Sequence, residues 1–422
     1  MLAKNKNFYL LFSVFTILAF LLTACGGAAA PAEEAVAEEP AEEVVAEEVV
    51  EEEAEEVASN ILDSENAAIA PEFYDEDSRA QEVAWIDAAP QGPEGQIYRQ
   101  WLEPVEWVDT TEYAKEGPYT ICFSNAGVNN PWRVVGFNTM EHEVAQQEDI
   151  GEFIHVDAEG SDEKQIADIE DLLASGNCDA LIVSPNTTAA LTPVVEKACE
   201  EVPVVVFDRG VFTDCPVSFV RPIGGYAFGH TGASFIVDNL PDGGNVLAFR
   251  ILPGVDVLEN RWAAAKVVFE DNPQVTVVGV EFTEGDNART KAIVEEYLDR
   301  YDSIDAIWMD AGATAVAAME AFEDAGLDIP IFVGEDQQDF LKKWKDNDLT
   351  AIAPTFPTFQ WRTAVIAAVD ILHGEQVPAW WVLPQPSVNQ GNLDTYFQPD
   401  MPPLHYAMCA AEDMVGWPEE WK

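Results

Sequence analysis

The sequence predicts an α/β fold in which two doubly wound parallel sheets form two lobes. From Tyr119 onward, apolar segments of strand length alternate with segments of helical periodicity. The strand-length segments are apolar throughout, as expected for strands buried on both faces of a parallel sheet. The alternation also continues for more units than one open sheet accommodates, so we expect two Rossmann-like lobes.

The first half of the alternation begins with a strand and a clear helix start. Asn130 is a favourable N-cap residue and Pro131 suits the first helical position, so a helix is predicted over 131–147. Further helices are predicted over 162–176 and 188–200. The predicted strands are "YTICFS", "GEFIHVDA", "DALIVSP" and "VPVVVFDRG".

The second half of the chain repeats this pattern. Helices are predicted over about 225–239, 257–270 and 287–300, and a last helix covers "QWRTAVIAAVDILHG". The predicted strands are "NVLAFRIL", "VTVVGVEF", "DAIWMDA", "IPIFVGED" and "LTAIAP". These units form the second sheet of the predicted fold.

The N-terminus reads as a targeting segment followed by a tether. Two lysines precede the apolar stretch "FYLLFSVFTILAFLL", which is shorter than the roughly 20 residues that a membrane-spanning helix needs. The stretch ends at "LTAC", which is typical of a bacterial lipoprotein signal with Cys25 as the lipidated residue. The alternative interpretation is a transmembrane anchor. Residues 25–59, composed mainly of Ala, Pro, Val and Glu, predict an extended acidic tether.

The charge of the chain argues against a nucleic-acid partner. The formal net charge is -56, and the tether holds only 13 of the 77 acidic residues. A phosphate backbone needs a basic patch, so nucleic-acid binding is not expected. The acidity suits either a salt-adapted surface or one kept dispersed by charge.

The cysteines suggest one disulfide. An exported protein forms disulfides readily, and the chain has no CxxC motif. Cys199 lies near a predicted helix end, and Cys215 directly precedes the apolar segment "VSFV". Because those two places lie at the same end of a parallel sheet, a Cys199–Cys215 bridge is a possible disulfide.

Polar residues collect where the predicted strands end. In an open α/β sheet, the ligand crevice lies beyond the carboxyl ends of the strands. Acids, amides and arginines make charge-assisted hydrogen bonds to vicinal hydroxyls, and a Trp covers the apolar face of a sugar ring. The strand-end residues are Asn125, Asn130, Trp132, Arg133, Asp208, Arg209, Arg261, Glu284, Asp286, Asn287, Asp310, Glu335, Asp336 and Thr355.

From about Pro118 to Val388, six segments in order resemble the sugar-binding proteins of ABC importers, the cluster of ribose- and galactose-binding proteins. The segments are "FSNAGVNNPW", "IEDLLASGNCDALIVSPN", "VPVVVFDRG", "LENRW", "IDAIWMDAGATAVAAMEAFEDAG" and "VGEDQQDFLKKWKDNDLTAIAPTFP". The resemblance implies the type I periplasmic binding protein-like fold, with two lobes joined by a multi-strand hinge. It also implies a lipoprotein that closes on a monosaccharide or similar polyol and delivers it to an ABC permease.

Composition and the resemblance together divide the chain into segments. The expected organisation is a signal peptide over 1–24, a tether over 25–59, an irregular N-terminal arm over 60–117, an N-terminal lobe from 118–222 plus 356–382, a C-terminal lobe from 223–355 plus 383–395, and a tail over 396–422. The arm is expected to pack on the body through its Trp and Tyr side chains. The protein is expected to be a monomer, exported and lipid-anchored, facing the periplasm or the cell exterior.

The resemblance also assigns the ligand contacts. Asn130 and Trp132 match the first-strand ligand positions, and Arg133 stands where relatives have a second aromatic residue, so it either faces the cleft or pairs with an acid at its rim. Asp208 and Arg209 match an Asp-Arg pair that grips hydroxyls. Arg261 and Asp336 match an Arg and an Asp of the second lobe. Asp286, from its place after a predicted strand, and Asp310 and Thr355 complete the expected set. Asp310 and Thr355 depart from the ribose-binding pattern, which makes ribose itself doubtful.

The rival functions have less support in the sequence. No GxSxG, P-loop, HExxH or dinucleotide GxGxxG motif is present, and no catalytic residues, metal or cofactor are expected. Acid pairs imitating glycosidase carboxylates leave a carbohydrate-active enzyme as a remote alternative. The same fold binding a nucleoside or a quorum-signal molecule is the closer alternative, since Trp132, Trp308 or Trp361 could stack a base.

Overall fold

The computed structural model describes residues 61–422. Cys25, the signal peptide and the tether lie outside the described residues and stay predictions. Within 61–422, no helix combines the length and the apolar character needed to cross a membrane.

The arm contains more regular structure than the sequence indicates. Helix α1 covers Glu76–Trp85, and strand β1 covers Trp107–Val108. Asp75 begins α1 by accepting a hydrogen bond from the backbone N–H of Ser78 at 2.7 Å. The rest of the arm is irregular, with short 3-10 turns.

The first lobe is built on a six-stranded parallel sheet. Its first elements are β2 (Tyr119–Asn125), α2 (Pro131–Gln146), β3 (Ile150–Asp157), α3 (Asp162–Ser175), β4 (Ala180–Ser184), α4 (Thr188–Cys199), β5 (Val204–Phe207) and β6 (Ser218–Pro222). Helix α2 begins at Pro131 because the Asn130 side chain accepts the backbone N–H of Arg133 at 3.0 Å.

The second lobe is built on a five-stranded parallel sheet in the order β11-β10-β9-β7-β8. Its elements are α5 (Gly225–Asn239), β7 (Gly244–Arg250), α6 (Asp256–Asp271), β8 (Val275–Phe282), α7 (Asn287–Arg300), β9 (Ala306–Met309), α8 (Ala315–Asp324), β10 (Ile331–Val333), α9 (Gln338–Asn347) and β11 (Ala351–Ile352). The strands carry large buried apolar side chains on both faces of this sheet, including Phe249 and Trp308. Each such side chain contributes roughly 1.5–3 kcal/mol when fully buried.

The chain then returns to the first lobe. Its last elements there are α10 (Gln360–His373), β12 (Val377–Pro378) and β13 (Trp380–Leu383), and the final helix, α11 (Leu393–Tyr396), packs on the second-lobe core. Strand β13 pairs with β6 and completes the order β13-β6-β5-β4-β2-β3, while β12 pairs with β1 of the arm. Two parallel sheets in two α/β lobes confirm the predicted fold class.

The chain crosses between the lobes after β6, after β11 and after β13, and these crossings are joined by hydrogen bonds. Ala353 and Val388 exchange two backbone hydrogen bonds, each of 2.9 Å. The Gln385 side chain accepts from the Gly224 N–H at 2.9 Å. Gly224 has a φ of 136°, and an added Cβ would collide with the Glu82 carboxylate of α1. The arm therefore packs directly on the hinge, where only glycine fits.

Two disulfides lie in the first lobe. Cys199 is bonded to Cys215, the pair that the sequence suggests, and Cys122 is bonded to Cys178. The sequence analysis did not identify the second pair. Cys409 is buried and is the only free cysteine of residues 61–422.

Removing the Cys122–Cys178 disulfide is expected to cost more stability than removing Cys199–Cys215. The two bridges span 56 and 16 residues. Chain-entropy scaling gives about 4 kcal/mol for the longer loop and about 3 kcal/mol for the shorter one. Urea unfolding of the two double-alanine variants measures this. Equal stability of wild type and the Cys122→Ala/Cys178→Ala variant would contradict the expected contribution.

Candidate functional site

A cavity of about 260 Å³ lies between the lobes, and we name it the cleft cavity. The first lobe lines it from the start of α2 and from the loop after β5. The second lobe and the hinge line it from the starts of α6 and α7, from the end of β10 and from the segment after β11. Six of the predicted ligand residues line it: Asn130, Trp132, Arg133, Asp208, Arg209 and Arg261.

Arg133 and Asp208 form a buried ion pair at the floor of the first-lobe side. The Arg133 Nη2 donates to the Asp208 Oδ2 at 2.5 Å, and its Nη1 donates to the Asn125 Oδ1 at 3.0 Å. The Ser184 hydroxyl donates to the same Asp208 oxygen at 3.1 Å. Burial lowers the pKa of Arg133 to about 10, which leaves the group charged at neutral pH. Arg133 therefore both lines the cavity and pairs with an acid.

Asp208 and Arg209 are held in position by the backbone. Asp208 has a φ of 70°, in the left-handed region that few residues other than glycine and Asn or Asp adopt. This turn directs Asp208 toward Arg133, while the Arg209 guanidinium donates to the carbonyl of Asn186. Strained backbone conformations of this kind concentrate at functional sites.

Trp132 and Phe356 provide the apolar wall of the cleft cavity. Their ring centroids lie 5.7 Å apart, and the Trp132 indole donates to the Phe356 carbonyl at 2.6 Å. Trp361 packs behind Trp132, also with 5.7 Å between ring centroids, and is fully buried. Trp308 is equally buried in the second-lobe core. Of the three tryptophans considered for stacking, only Trp132 lines the cleft cavity.

The second-lobe side of the cleft cavity is a network around Arg261. Its guanidinium lies 4.0 Å from the ring centroid of Phe228 and 4.7 Å from that of Phe356, and it donates to the Asp310 carbonyl. Glu335 lies 3.4 Å from Arg261 and accepts from the Tyr406 hydroxyl at 3.2 Å. Burial raises the pKa of Glu335, and the neighbouring Arg261 opposes that shift.

The other four predicted ligand residues do not line the cleft cavity. The Asp286 side chain caps α7 by accepting the Arg289 N–H at 2.7 Å. Asp310 accepts the Ile251 N–H at 3.0 Å, Asp336 accepts the Met408 N–H at 2.6 Å, and Thr355 donates to the Pro386 carbonyl at 2.6 Å. In each case an adjacent residue lines the cavity instead: Asn287, Ala311, Glu335 and Phe356. Because successive side chains of extended backbone point to opposite sides, a shift of one position changes which residue faces the cleft cavity.

The structure adds contacts that the sequence analysis did not assign. Asn287 and Glu335 appear among the polar strand-end residues, but the predicted ligand set includes their neighbours Asp286 and Asp336 instead. Tyr406 and Leu404 reach the cavity from the C-terminal tail, which has no strand or helix pattern to predict its path. The tail is held there because Asp336 accepts the Met408 N–H.

Asp336 makes the stability of the protein depend on pH. Burial raises the pKa of Asp336 to about 7, from 3.8 for an ordinary aspartate. Between those values the folded chain holds a proton that the unfolded chain has lost, so the free energy of unfolding falls as pH rises. The steepest slope expected from Asp336 alone is about 1.4 kcal/mol per pH unit.

As the pH rises from 4.5 to 8, the free energy of unfolding is therefore expected to fall less in Asp336→Asn than in wild type. The amide keeps an oxygen that accepts the Met408 N–H but carries no titrating proton. Urea unfolding at several pH values measures the difference, with the exposed Asp328→Asn as the matched control. Parallel pH profiles for wild type and Asp336→Asn would contradict the assigned protonation.

The chemistry of the cleft cavity suits a neutral ligand with many hydroxyls. Arg209 and Arg261 donate, Asp208 and Glu335 accept, and Trp132 and Phe356 offer ring faces. No group of three or more His, Cys, Asp or Glu side chains within 61–422 is arranged to hold a metal ion.

The chain resembles known proteins over its two lobes. Residues 121–376 match the model of the family described as periplasmic binding protein domain. The ribose import binding protein of Bacillus subtilis (strain 168) is 29% identical over 277 residues, which cover 65% of this chain and 89% of that protein. The D-xylose-binding periplasmic protein of Escherichia coli (strain K12) is 26% identical over 249 residues, 56% of this chain and 73% of that protein.

A solved structure agrees with these relatives. The ABC transporter solute binding protein of Thermobispora bispora DSM 43833 superposes with a TM-score of 0.62 at 26% identity, over 68% of this chain and 90% of that one. The relatives are binding proteins and not enzymes, in agreement with the prediction of a non-enzymatic function. The protein belongs to the periplasmic binding protein family, with the type I arrangement of two α/β lobes around a ligand cleft.

Proposed function

We propose that this protein captures a monosaccharide or similar polyol in the cleft cavity by closure of its two lobes. The observation that carries the proposal is the pairing of Arg209 and Asp208 from one lobe with Arg261 and Glu335 from the other, around the rings of Trp132 and Phe356. Only a state with both lobes against the ligand satisfies both sets of hydrogen bonds, so ligand binding favours closure.

The size of the cleft cavity supports a small ligand. Its 260 Å³ lies just below the range of about 300–1,000 Å³ that is common for ligand sites. Buried polar groups left unpaired by a wrong ligand cost about 1–3 kcal/mol each, which makes such a site selective. The names of the relatives make pentoses the first ligands to test.

We further propose that the protein is exported, lipid-anchored through Cys25, monomeric, and a supplier of an ABC permease. The lipobox-like "LTAC" and the acidic tether that follows it support the anchor and the reach from the membrane. Mass spectrometry of the native N-terminus tests the anchor, because an unmodified Cys25 in membrane fractions would contradict it.

A thermal-shift screen tests the ligand class, because a ligand bound to the folded state raises the melting temperature by mass action. Pentoses, hexoses, polyols and nucleosides form the panel, and titration calorimetry follows each hit. We expect stabilisation by one or more sugars or polyols. Stabilisation by nucleosides alone would overturn the proposed ligand and favour the nucleoside-binding alternative.

A further inference from the structure

A second cavity, of about 430 Å³, lies between the arm and both lobes, and we name it the arm cavity. It shares Asp208, Arg209, Val257 and Phe356 with the cleft cavity, so the two cavities adjoin at these residues. The arm contributes Glu72, Phe73 and Asp75 to its lining, together with Ser78 and Glu82 of α1. Because the arm precedes the lobes in the chain, the two-lobe fold alone does not form this cavity.

Contacts between the lobes are already made around the arm cavity. The Gly210 N–H of the first lobe donates to the Asp256 carboxylate of the second lobe at 2.8 Å. Phe73 of the arm stacks on Phe212 of the first lobe with 5.7 Å between ring centroids. Phe73 itself is tied to the second lobe, since its carbonyl accepts from the Tyr226 hydroxyl at 2.9 Å. The space therefore persists while the lobes are in contact.

The arm cavity contains polar groups without protein partners. The Thr188 hydroxyl and the Asn260 Oδ1 have no hydrogen-bond partner within 61–422, although both atoms are inaccessible to solvent. Thr188 as a residue is 2% exposed. Unpaired buried polar atoms cost free energy, and a rotation of either side chain toward a bound hydroxyl group would satisfy them. Phe212, Phe219 and Trp380 add ring surfaces of the kind that cover a sugar.

We propose that the arm cavity is a second sugar subsite, and that the physiological ligand is a disaccharide or glycoside with one ring in each cavity. This inference rests on the proposed function of the cleft cavity. Asp208 and Arg209 border both spaces, so their free hydrogen-bonding capacity serves the hydroxyls on either side of the linkage. Thr188 and Asn260 contact only the second unit, because they line the arm cavity alone.

Titration calorimetry on the full-length protein tests this with matched ligands. The probes are xylobiose with xylose, maltose and cellobiose with glucose, and lactose and melibiose with galactose. We expect at least one disaccharide to bind ten-fold or more tightly than its constituent monosaccharide. Disaccharides that bind no more tightly than the monosaccharides would overturn the subsite while leaving the proposed function intact. No binding by any carbohydrate would overturn both.

Two variants locate the second ring. Thr188→Val keeps the side-chain shape and removes the hydroxyl, and Asn260→Leu removes the amide acceptor. Each variant is expected to lower the affinity for the disaccharide three- to ten-fold and to leave the affinity for the monosaccharide unchanged. Thr276→Val, on an exposed position of β8, is the matched control and should change neither. An equal loss for both ligands would assign Thr188 and Asn260 to general folding and overturn the subsite.

Discussion

Asp208→Ala is expected to remove most ligand affinity and also to lower the free energy of unfolding by about 3–5 kcal/mol. The side chains of Asp208 and Arg133 are 5% and 2% exposed, and their ion pair has an N–O distance of 2.5 Å. Removing the carboxylate leaves Arg133 buried with no opposing carboxylate in contact, and such a charge costs more than the pair itself contributes. Asp208 thus belongs both to the proposed ligand site and to the buried interior of the first lobe.

Arg209→Ala separates these two effects. Arg209 is less buried, with 16% of its side chain exposed, and it donates chiefly to backbone carbonyls. Its removal is expected to lower the free energy of unfolding by about 1 kcal/mol or less. It is also expected to lower the ligand affinity on the order of 100-fold. Calorimetry with the best ligand of the screen measures the affinity of each variant, and urea unfolding measures its free energy of unfolding.

A double variant controls for the stability loss of Asp208→Ala. Asp208→Ala/Arg133→Met removes the uncompensated charge and is expected to regain stability without regaining ligand affinity. Wild-type affinity in both Asp208→Ala and Arg209→Ala would refute the assignment of the cleft cavity as the ligand site. A fully stable Asp208→Ala variant would refute the structural role of the ion pair.

The helices and strands of the lobes follow from local sequence signals. The start of α2 shows why: Asn130 caps it, Pro131 suits its first turn, and both effects depend only on nearby residues. The order of apolar strands and amphipathic helices likewise predicts parallel sheets without any knowledge of their contacts. The multi-strand hinge needed the family resemblance, because its crossings carry no periodic pattern.

The direction of individual side chains was harder to predict. Asp336 and Glu335 are adjacent acids after the same strand, and only the packing of the tail decides that Asp336 accepts the Met408 N–H while Glu335 faces the cleft. Tyr406 illustrates the same limit, because its position depends on contacts with residues about 70 positions earlier in the chain. The Cys122–Cys178 bridge was missed for a similar reason, since it joins the middle of one strand to the loop before its neighbour.

Arg362→Met is expected to be among the most destabilising single changes, because Arg362 joins three parts of the chain. Its guanidinium is paired with Glu143 of α2 and with Asp413 of the tail, the latter at 2.6 Å. It also lies 3.4 Å from the ring centroid of Tyr98 in the arm, whose hydroxyl donates to Asp413 at 2.7 Å. One buried cation therefore contacts the arm, the tail and α2 of the first lobe at the same time.

The expected loss is about 3–5 kcal/mol, because Arg362→Met leaves Glu143 as a buried carboxylate without its ion-pair partner. Arg300→Met is the matched control: its pair with Glu296 is more than half exposed, so its removal should change stability by under about 1 kcal/mol. Arg362→Met/Glu143→Leu should recover part of the loss, since no uncompensated charge remains in the core. Urea unfolding measures all three variants, and faster proteolysis of the tail in Arg362→Met would report its release. If Arg362→Met were no more destabilising than Arg300→Met, the arm and the tail would have to be held by their other contacts, such as the pairing of β1 with β12, the Asp336–Met408 hydrogen bond and the packing of Trp421 on His142.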